Sequence, residues 1–548
     1  MTTFRTTLIT ALTLTALATG TVATAANKSA ATVKVTSGFI VEAQSAQDAA
    51  RAVRAAGGRV TQELPIVNGV AAKLSTAQAA RLRQHAGVSL FPDAAVNTQG
   101  GPDAYNIPLM GVDKLQAQGI NGTGVTVAVL DTGVGNTNHA LPAIQDPNYR
   151  NRVLGSYDAI ANVSPSQNFD TVGHGTHVTS IIMNSDTSDV SRTPQGIAPW
   201  AKLVWVRAFG ANGVGTYSNV IAGLNWILTN KSKYNIRVLN LSFGAKAQSY
   251  YWNDPINQAA MKLWQSGVVV VTSAGNWGPK AQTIGVPGNN PYVITVGAMT
   301  DNFTPGNASD DHLASFSSAG PTAEGFVKPD LVAPGGHMVG LMDGATMSIA
   351  KQYPEFSTAD KATFTMSGTS QAAAAVSGTV ALMLQANPSL TPDQVKCRLM
   401  SSARVAVDPA KKAAYSVFQQ GAGVVDAYGA VYNQNSNCAN QGLNIAKDIA
   451  GTAHYGGAAH QERLTGTYFV ADANGFPLLG QGYLWNNTFT FGQGYLWNNG
   501  YLWNNGYLWS NGYLWNNGYL WNNGYLWNQS TVAPASAPTA VESWNLQE

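Results

Sequence analysis

The 548-residue sequence predicts a doubly wound α/β domain with a mostly parallel sheet, preceded by a small α+β unit of ferredoxin-like order and followed by a repeat tail. Three observations predict this. Between Gly111 and Asn433, short continuous β-branched runs alternate with helical stretches. A compact βαββαβ pattern precedes them, and a tandem hexapeptide follows.

Residues 1–25 have the order of a secretory signal. Arg5 precedes an apolar stretch from Leu8 to Ala18, and Ala23-Thr24-Ala25 offers the small residues a signal peptidase accepts. The stretch is too short to anchor in a bilayer, and no later run approaches the ~18 apolar residues a span requires. The expected location is therefore extracellular.

Residues 26–98 contain the small unit. Ser37–Val41 is strand-like, and Ala46–Ala56 is helical, ending at Gly57-Gly58. Val60–Leu64 and Gly69–Lys73 alternate as strands about a turn at Val67-Asn68-Gly69. Ser75–His85 is a second helix with Ser75 as its N-cap, and Val88–Phe91 is a last strand. This is the order of a ferredoxin-like fold.

Residues 99–435 form the main domain. Val125–Leu130, Leu203–Val206, Val238–Leu241, Val268–Val271 and Tyr292–Val296 suit strands buried on both faces of a parallel sheet. His177–Met183, Tyr217–Thr229, Asp254–Gln265 and Ser370–Gln385 read as the helices between them. In such sheets, sites form beyond the carboxyl ends of the strands. Residues 436–481 read as a polar linker. Residues 482–529 carry Gly-Tyr-Leu-Trp-Asn-Asn repeats, and residues 530–548 form an Ala/Pro/Ser-rich disordered tail.

Charged residues are 11% of the chain and the net charge is +2, so neither nucleic acid nor an anionic membrane surface is an expected partner. Apolar residues at 45% suffice for a sizeable core. Cys397 and Cys438, in an exported chain, read most simply as one disulfide, with two buried free thiols as the alternative.

Four motifs carry chemistry. Asp131-Thr132-Gly133 ends a buried strand, and Gly173-His174-Gly175-Thr176-His177 opens a helix. Ser273-Ala274-Gly275-Asn276 follows another strand, and Gly368-Thr369-Ser370 opens an apolar helix. Each alone has a bland reading as a turn or cap. Together they supply what serine nucleophilic catalysis needs: a base, a carboxylate to orient it, and a donor for the oxyanion. The order Asp, His, Ser is the order found in subtilisin.

The sequence resembles the subtilases, the subtilisin-type serine proteases. Leu239-Asn240-Leu241-Ser242-Phe243-Gly244, Lys328-Pro329-Asp330-Leu331-Val332-Ala333-Pro334-Gly335 and Gly421-Ala422-Gly423-Val424-Val425-Asp426 extend the likeness across Gly111 to Asn433. The resemblance implies a peptide-bond hydrolase in which Asp131 orients His174, His174 acts as base and acid, and Ser370 attacks. The Asn276 side chain and the Ser370 N–H would hold the oxyanion. It implies a substrate pocket walled by Ser242, Phe243, Gly244, Ala274, Gly275 and Asn276, with Gly285 leaving its floor open. Gly213-Val214-Gly215 would be an edge strand that pairs with extended substrate. Trp277 stands where several relatives carry an acid, so large apolar residues are expected before the scissile bond. Residues 26–98 resemble the inhibitor-like propeptide and foldase of these enzymes, released between Pro92 and Tyr105, with a permanent second domain as the alternative. The expected partners are protein substrates and this intramolecular inhibitor.

The sequence departs from the family in two places. Ala374 and Ala375 replace a common Pro and His after the nucleophile, shaping a helix rather than the chemistry. The stretch Asn184–Gln195 does not match the usual calcium loop, and Asp186 and Asp189 equally suit solvated turns. The chemistry needs no cofactor, and the metal content, structural calcium included, stays open. In the repeats, a strand would put Tyr and Trp on one face, suiting a surface-binding solenoid; the alternative is a low-complexity tail trimmed during maturation. Two rivals oppose a protease: an adhesin on a protease-like scaffold, which has no need of all four motifs, and an esterase, which would show a Gly-x-Ser-x-Gly elbow in another order.

Overall fold

The computed structural model describes residues 36–93, 95–98, 108–135, 152–185, 195–302, 310–359, 361–407, 413–462 and 465–471. The residues read as a secretory signal, Asp186 and Asp189, and the hexapeptide repeats all lie outside the described residues.

The N-terminal unit comprises β1 (Ser37–Glu42), α1 (Ala46–Ala55), β2 (Arg59–Leu64), β3 (Gly69–Leu74), α2 (Thr76–Arg83) and β4 (Ser89–Pro92). Its strands pair antiparallel in the order β2-β3-β1-β4, the ferredoxin-like arrangement expected. Ser75 caps α2 in a reciprocal capping box with Gln78. The sheet has two working faces because side chains alternate along a strand. Val41, Val70, Ala72 and Leu74 pack on the unit's own helices. Ile40, Leu64, Ile66 and Ala71 join the core of the main domain instead.

The main domain continues with β5 (Ala95–Thr98), α3 (Val112–Ala117), β6 (Thr126–Asp131), β7 (Val153–Asp158), α4 (His174–Met183), β8 (Lys202–Arg207), β9 (Val214–Thr216) and α5 (Tyr217–Tyr234). Then come β10 (Ile236–Leu241), β11 (Phe243–Gly244), α6 (Pro255–Gln265), β12 (Val269–Ser273), β13 (Ile294–Thr300), β14 (His312–Leu313), β15 (Leu331–Pro334), β16 (Met338–Leu341), α7 (Ser348–Gln352), β17 (Thr363–Met366), α8 (Thr369–Ala386) and α9 (Pro392–Ser402). The large sheet runs β14-β13-β12-β10-β6-β8-β7, with β15 also on β13. All its pairings are parallel except β13 with β14. Strand β6, in the interior of this order, is buried along its whole length, as both-face coverage requires. α4 and α8 pack together on the sheet, and α5 and α6 pack together elsewhere on it. Ala374 and Ala375 lie fully buried within α8.

The stretch read as a linker has structure of its own up to residue 471. Cys397 in α9 is disulfide-bonded to Cys438, with Cα atoms 5.1 Å apart. Beyond it a helix at Ile445–Ile449 brings in Asp448, which accepts hydrogen bonds from the hydroxyls of Tyr251 (2.9 Å) and Tyr292 (2.5 Å). His454 contacts the same carboxylate at 3.0 Å and stacks on Trp252. A hairpin pairs Ala459–Gln461 with Tyr468–Val470. The polar pattern hid these elements because each is only three to five residues long and is held by single anchors rather than a periodic face.

Candidate active site

The parallel sheet decides where polar residues can gather. Asp131 is the last residue of β6, with its backbone in register with Arg207 of β8, and its side chain is 1% exposed. Its Oδ1 accepts from the Thr132 N–H at 2.7 Å and lies 2.7 Å from His174 Nδ1. His174 is the first residue of α4 and is also 1% exposed. The Gly175 N–H donates to Thr132 Oγ1 (2.8 Å), which ties the helix start to the strand end. With Nδ1–H held by Asp131, the imidazole presents Nε2 as its basic atom.

Asp170, four residues before His174, was not singled out from the sequence. Its buried carboxylate accepts from the N–H groups of Val172, Gly173 and Thr176 and from the Thr176 hydroxyl, at 2.6–3.0 Å. It satisfies amides that the first turn of α4 leaves over. An acid just before a helix start was the available signal.

His177, three residues after His174, has a different role. Its Nε2 lies 3.1 Å from Met338 O on β16 and 3.0 Å from Phe364 O on β17. Complete burial pushes its ring down to about 3, so it stays neutral and structural.

Ser370 is the second residue of α8, so its N–H has no carbonyl four residues earlier in the helix to bond. Its hydroxyl donates to Ser242 O at 3.0 Å, and the Ser242 hydroxyl donates to Ser370 O at 2.8 Å. Behind them, Asn240 donates to Ser242 Oγ and accepts from the Ser377 hydroxyl, which links the nucleophile's backbone to the core. Asn276 Oδ1 accepts from the Thr369 N–H (3.1 Å) and hydroxyl (2.8 Å). With its oxygen occupied in this way, the amide has Nδ2 as its donating end. Thr369 is the orienting residue that sequence reasoning passed over.

Several of the residues expected to bind substrate lie on two short strands that share a partner. β5 lies as a strand between two edges, antiparallel to both. On one side Thr98 pairs with Phe243 and Asn97 with Gly244. On the other, Val96 pairs with Gly215 and Asn97 with Val214, while Gly213 precedes that edge in a turn. Just before β5, Asp93 accepts from the N–H and hydroxyl of Ser218 in the first turn of α5. Ala274 is buried, and Gly275 has φ +109°, where a side chain would also strike Ser318 Oγ and the Trp277 ring. At Gly285 an added Cβ would come within 2.6 Å of both Ala245 O and the Trp277 ring. The Trp277 ring therefore lies against the glycine-lined wall rather than away from it.

Among the described residues, no group of three or more His, Cys, Asp or Glu could hold a metal ion. None of their helices is long and apolar enough to cross a membrane.

A model of the subtilase family matches residues 122–430. The serine protease AprX of Bacillus subtilis (strain 168) is 38% identical over 288 residues, spanning 51% of this chain and 61% of AprX. Subtilisin DY of Bacillus licheniformis is 34% identical, over 55% of this chain and 90% of its own length. Subtilisin E of Bacillus subtilis (strain 168) is 30% identical over 70% of this chain and 88% of its own. Among solved structures, fervidolysin from Fervidobacterium pennivorans, a keratinolytic enzyme related to subtilisin, shares the fold. Its TM-score is 0.56 at 23% identity, covering 73% of this chain and 61% of that one.

Proposed function

The chain belongs to the subtilase family of serine endopeptidases, and from that premise we propose that it is a secreted, self-processing protease working through Asp131, His174 and Ser370. The observation that carries this reading is the buried 2.7 Å contact of Asp131 with His174, at the same end of the sheet as Ser370 and Asn276. The Ser370 hydroxyl turns from Ser242 O to His174 and gives up its proton as Oγ attacks the substrate carbonyl. The tetrahedral oxyanion is met by the Ser370 N–H and Asn276 Nδ2, donors already fixed before the charge develops. His174 then hands its proton to the leaving amine, and water releases the acyl group by the same steps. Asp131 stays ionised and stabilises the imidazolium.

The N-terminal unit is the first occupant of this cleft. β5 fills the groove as a strand, giving main-chain pairing on both sides, the mode by which extended peptides bind sheet edges. The bond cut in processing lies just beyond Thr98. The flat Trp277 ring along the glycine wall suits a large apolar residue before the scissile bond in other substrates. Cleavage mapping on mixed peptides tests that preference, and strict selection of basic residues would overturn it.

The test of the whole reading compares the full chain with Ser370→Ala. Only the unaltered chain should clear casein, react with a fluorophosphonate and shed a fragment ending just past Thr98. Labelling of both chains, or of neither, would remove Ser370 as the nucleophile.

A further inference from the structure

The segment that carries His174 is stitched at several points to the segment that carries Asp131. Besides the His174–Asp131 contact and the Gly175 N–H on Thr132 Oγ1, the Val134 N–H donates to Phe169 O at 3.2 Å. The Gly135 N–H donates to Thr176 Oγ1 at 2.9 Å. The approach is close enough to require glycine on both sides. A Cβ at Gly133, where φ is +112°, would lie 2.0 Å from Phe169 O, and one at Gly175 would lie 2.3 Å from Gly133 O. Asp170 stands at the corner of this seam and is buried. Its Oδ1 accepts from the N–H groups of Val172 and Gly173, just before His174, at 2.9 Å each. Its Oδ2 accepts from the Thr176 N–H at 3.0 Å and the Thr176 hydroxyl at 2.6 Å, just after it. One carboxylate therefore grips the backbone on both sides of His174, and through Thr176 it reaches the loop that follows Asp131.

We propose that Asp170 is a positioning residue for His174, with Thr176 as its link to the Asp131 loop, which rests on the reading of His174 as the catalytic base. The first effect is orientation. Gly173, the N-cap of α4, has no side chain with which to cap the helix. Without the Asp170 carboxylate, the amides of Val172, Gly173 and Thr176 lose their acceptor in a place sealed from water. The start of α4 then shifts to satisfy them, and the ring that sits 2.7 Å from Asp131 shifts with it. The second effect is charge. A helix N-terminus carries the positive end of the macrodipole, which opposes the imidazolium that His174 must form there. The Asp170 anion at that end offsets it, adding to the Asp131 carboxylate that faces the ring from β6. His177, on the same helix, stays neutral and adds no charge.

Steady-state kinetics on a chromogenic peptide test this, with active enzyme counted by fluorophosphonate titration. The processed parent is compared with Asp170→Asn, Thr176→Val and Thr176→Ser. An amide at 170 keeps one accepting oxygen and turns the other into a donor, so it cannot serve all four groups. Asp170→Asn should lower kcat about 10–100-fold while KM stays within about twofold, which marks a displaced base and not a lost substrate contact. The acid limb of its kcat/KM profile should move to lower pH by about 0.5 unit, because an imidazole with less negative charge near it takes up a proton less readily. Thr176→Val keeps the charge but removes the link to Gly135, and should lower kcat about 10-fold; Thr176→Ser restores the hydroxyl and should recover it to within about threefold. Unchanged kcat in Asp170→Asn and Thr176→Val, with only Tm lowered, would overturn the proposal, as would equal losses in Thr176→Val and Thr176→Ser. Should Asp170→Asn not fold, the Thr176 pair reads the same brace with the carboxylate in place. If His174→Ala hydrolyses the peptide as fast as the parent, it is the reading of the base that fails.

Discussion

At the scale of single residues, the site is a set of donors and acceptors whose partners are already assigned. Asn276 is held through its carbonyl by Thr369, which leaves its amide nitrogen as the donor that the proposed mechanism assigns to the oxyanion. Asn276→Ala should lower kcat about 10²–10³-fold with little change in KM, a size set by the corresponding loss in subtilisin. Steady-state kinetics on a chromogenic peptide would show it. His177 makes the opposite prediction. Because burial holds it neutral down to about 3, its protonation plays no part in the pH profile of catalysis. It does bear on stability. The unfolded imidazole takes up a proton near pH 6.5 while the folded one does not, so unfolding becomes proton-linked as pH falls. This residue's contribution is complete above 6.5 and drains by about tenfold in the folding equilibrium per unit towards 3. His177→Gln should flatten that part of a Tm-against-pH curve.

At the scale of elements, what was legible followed burial. β6, β8, β10 and β12 are continuous apolar runs and were readable to within a residue or two, because a strand covered on both faces has no polar side to confuse the pattern. β7 was not readable. Val153–Asp158 is half-buried at the end of the sheet order, and Gly155 and Ser156 interrupt its pattern. Asp131, His174, Asn276 and Ser370 stood out in the sequence because glycine-flanked motifs mark strand ends and helix starts, which is where the structure has them. Asp170 and Thr369 did not, since a carboxylate bonding four donors and a hydroxyl orienting an amide look in sequence like any cap. The C-terminal segment was also invisible to periodicity, yet the Cys397–Cys438 bond closes it onto α9 across a separation of 41 residues. On chain-entropy grounds, replacing both cysteines by alanine should cost about 3–4 kcal/mol. Urea unfolding of the Ser370→Ala chain, with and without the bond, would measure it.

At the scale of the whole molecule, two sheets of different kind share a core. The antiparallel sheet of the N-terminal unit spends one face on its own helices and the other on the main domain, where the unit packs on α5 and α6. Parallel sheets assemble through contacts distant in sequence and are slow to form. A locally connected unit that presents Leu64 and Ile66 to α5 and α6 offers a template on which they can settle. Deleting residues 26–98 should therefore slow refolding of the remainder by orders of magnitude, and stopped-flow or manual-mixing refolding would show whether it does.

The strand at Ala95–Thr98 has a further, kinetic meaning. Being part of the same chain, it meets the cleft at an effective concentration set by its tether and not by the solution. If the proposed self-processing holds, the first cut is a clock internal to each molecule: its half-time should not change when the chain is diluted a hundredfold. Destruction of the freed segment needs a second molecule and should slow in proportion. A dilution series would split maturation into one concentration-blind step and one that senses how many enzymes are already awake.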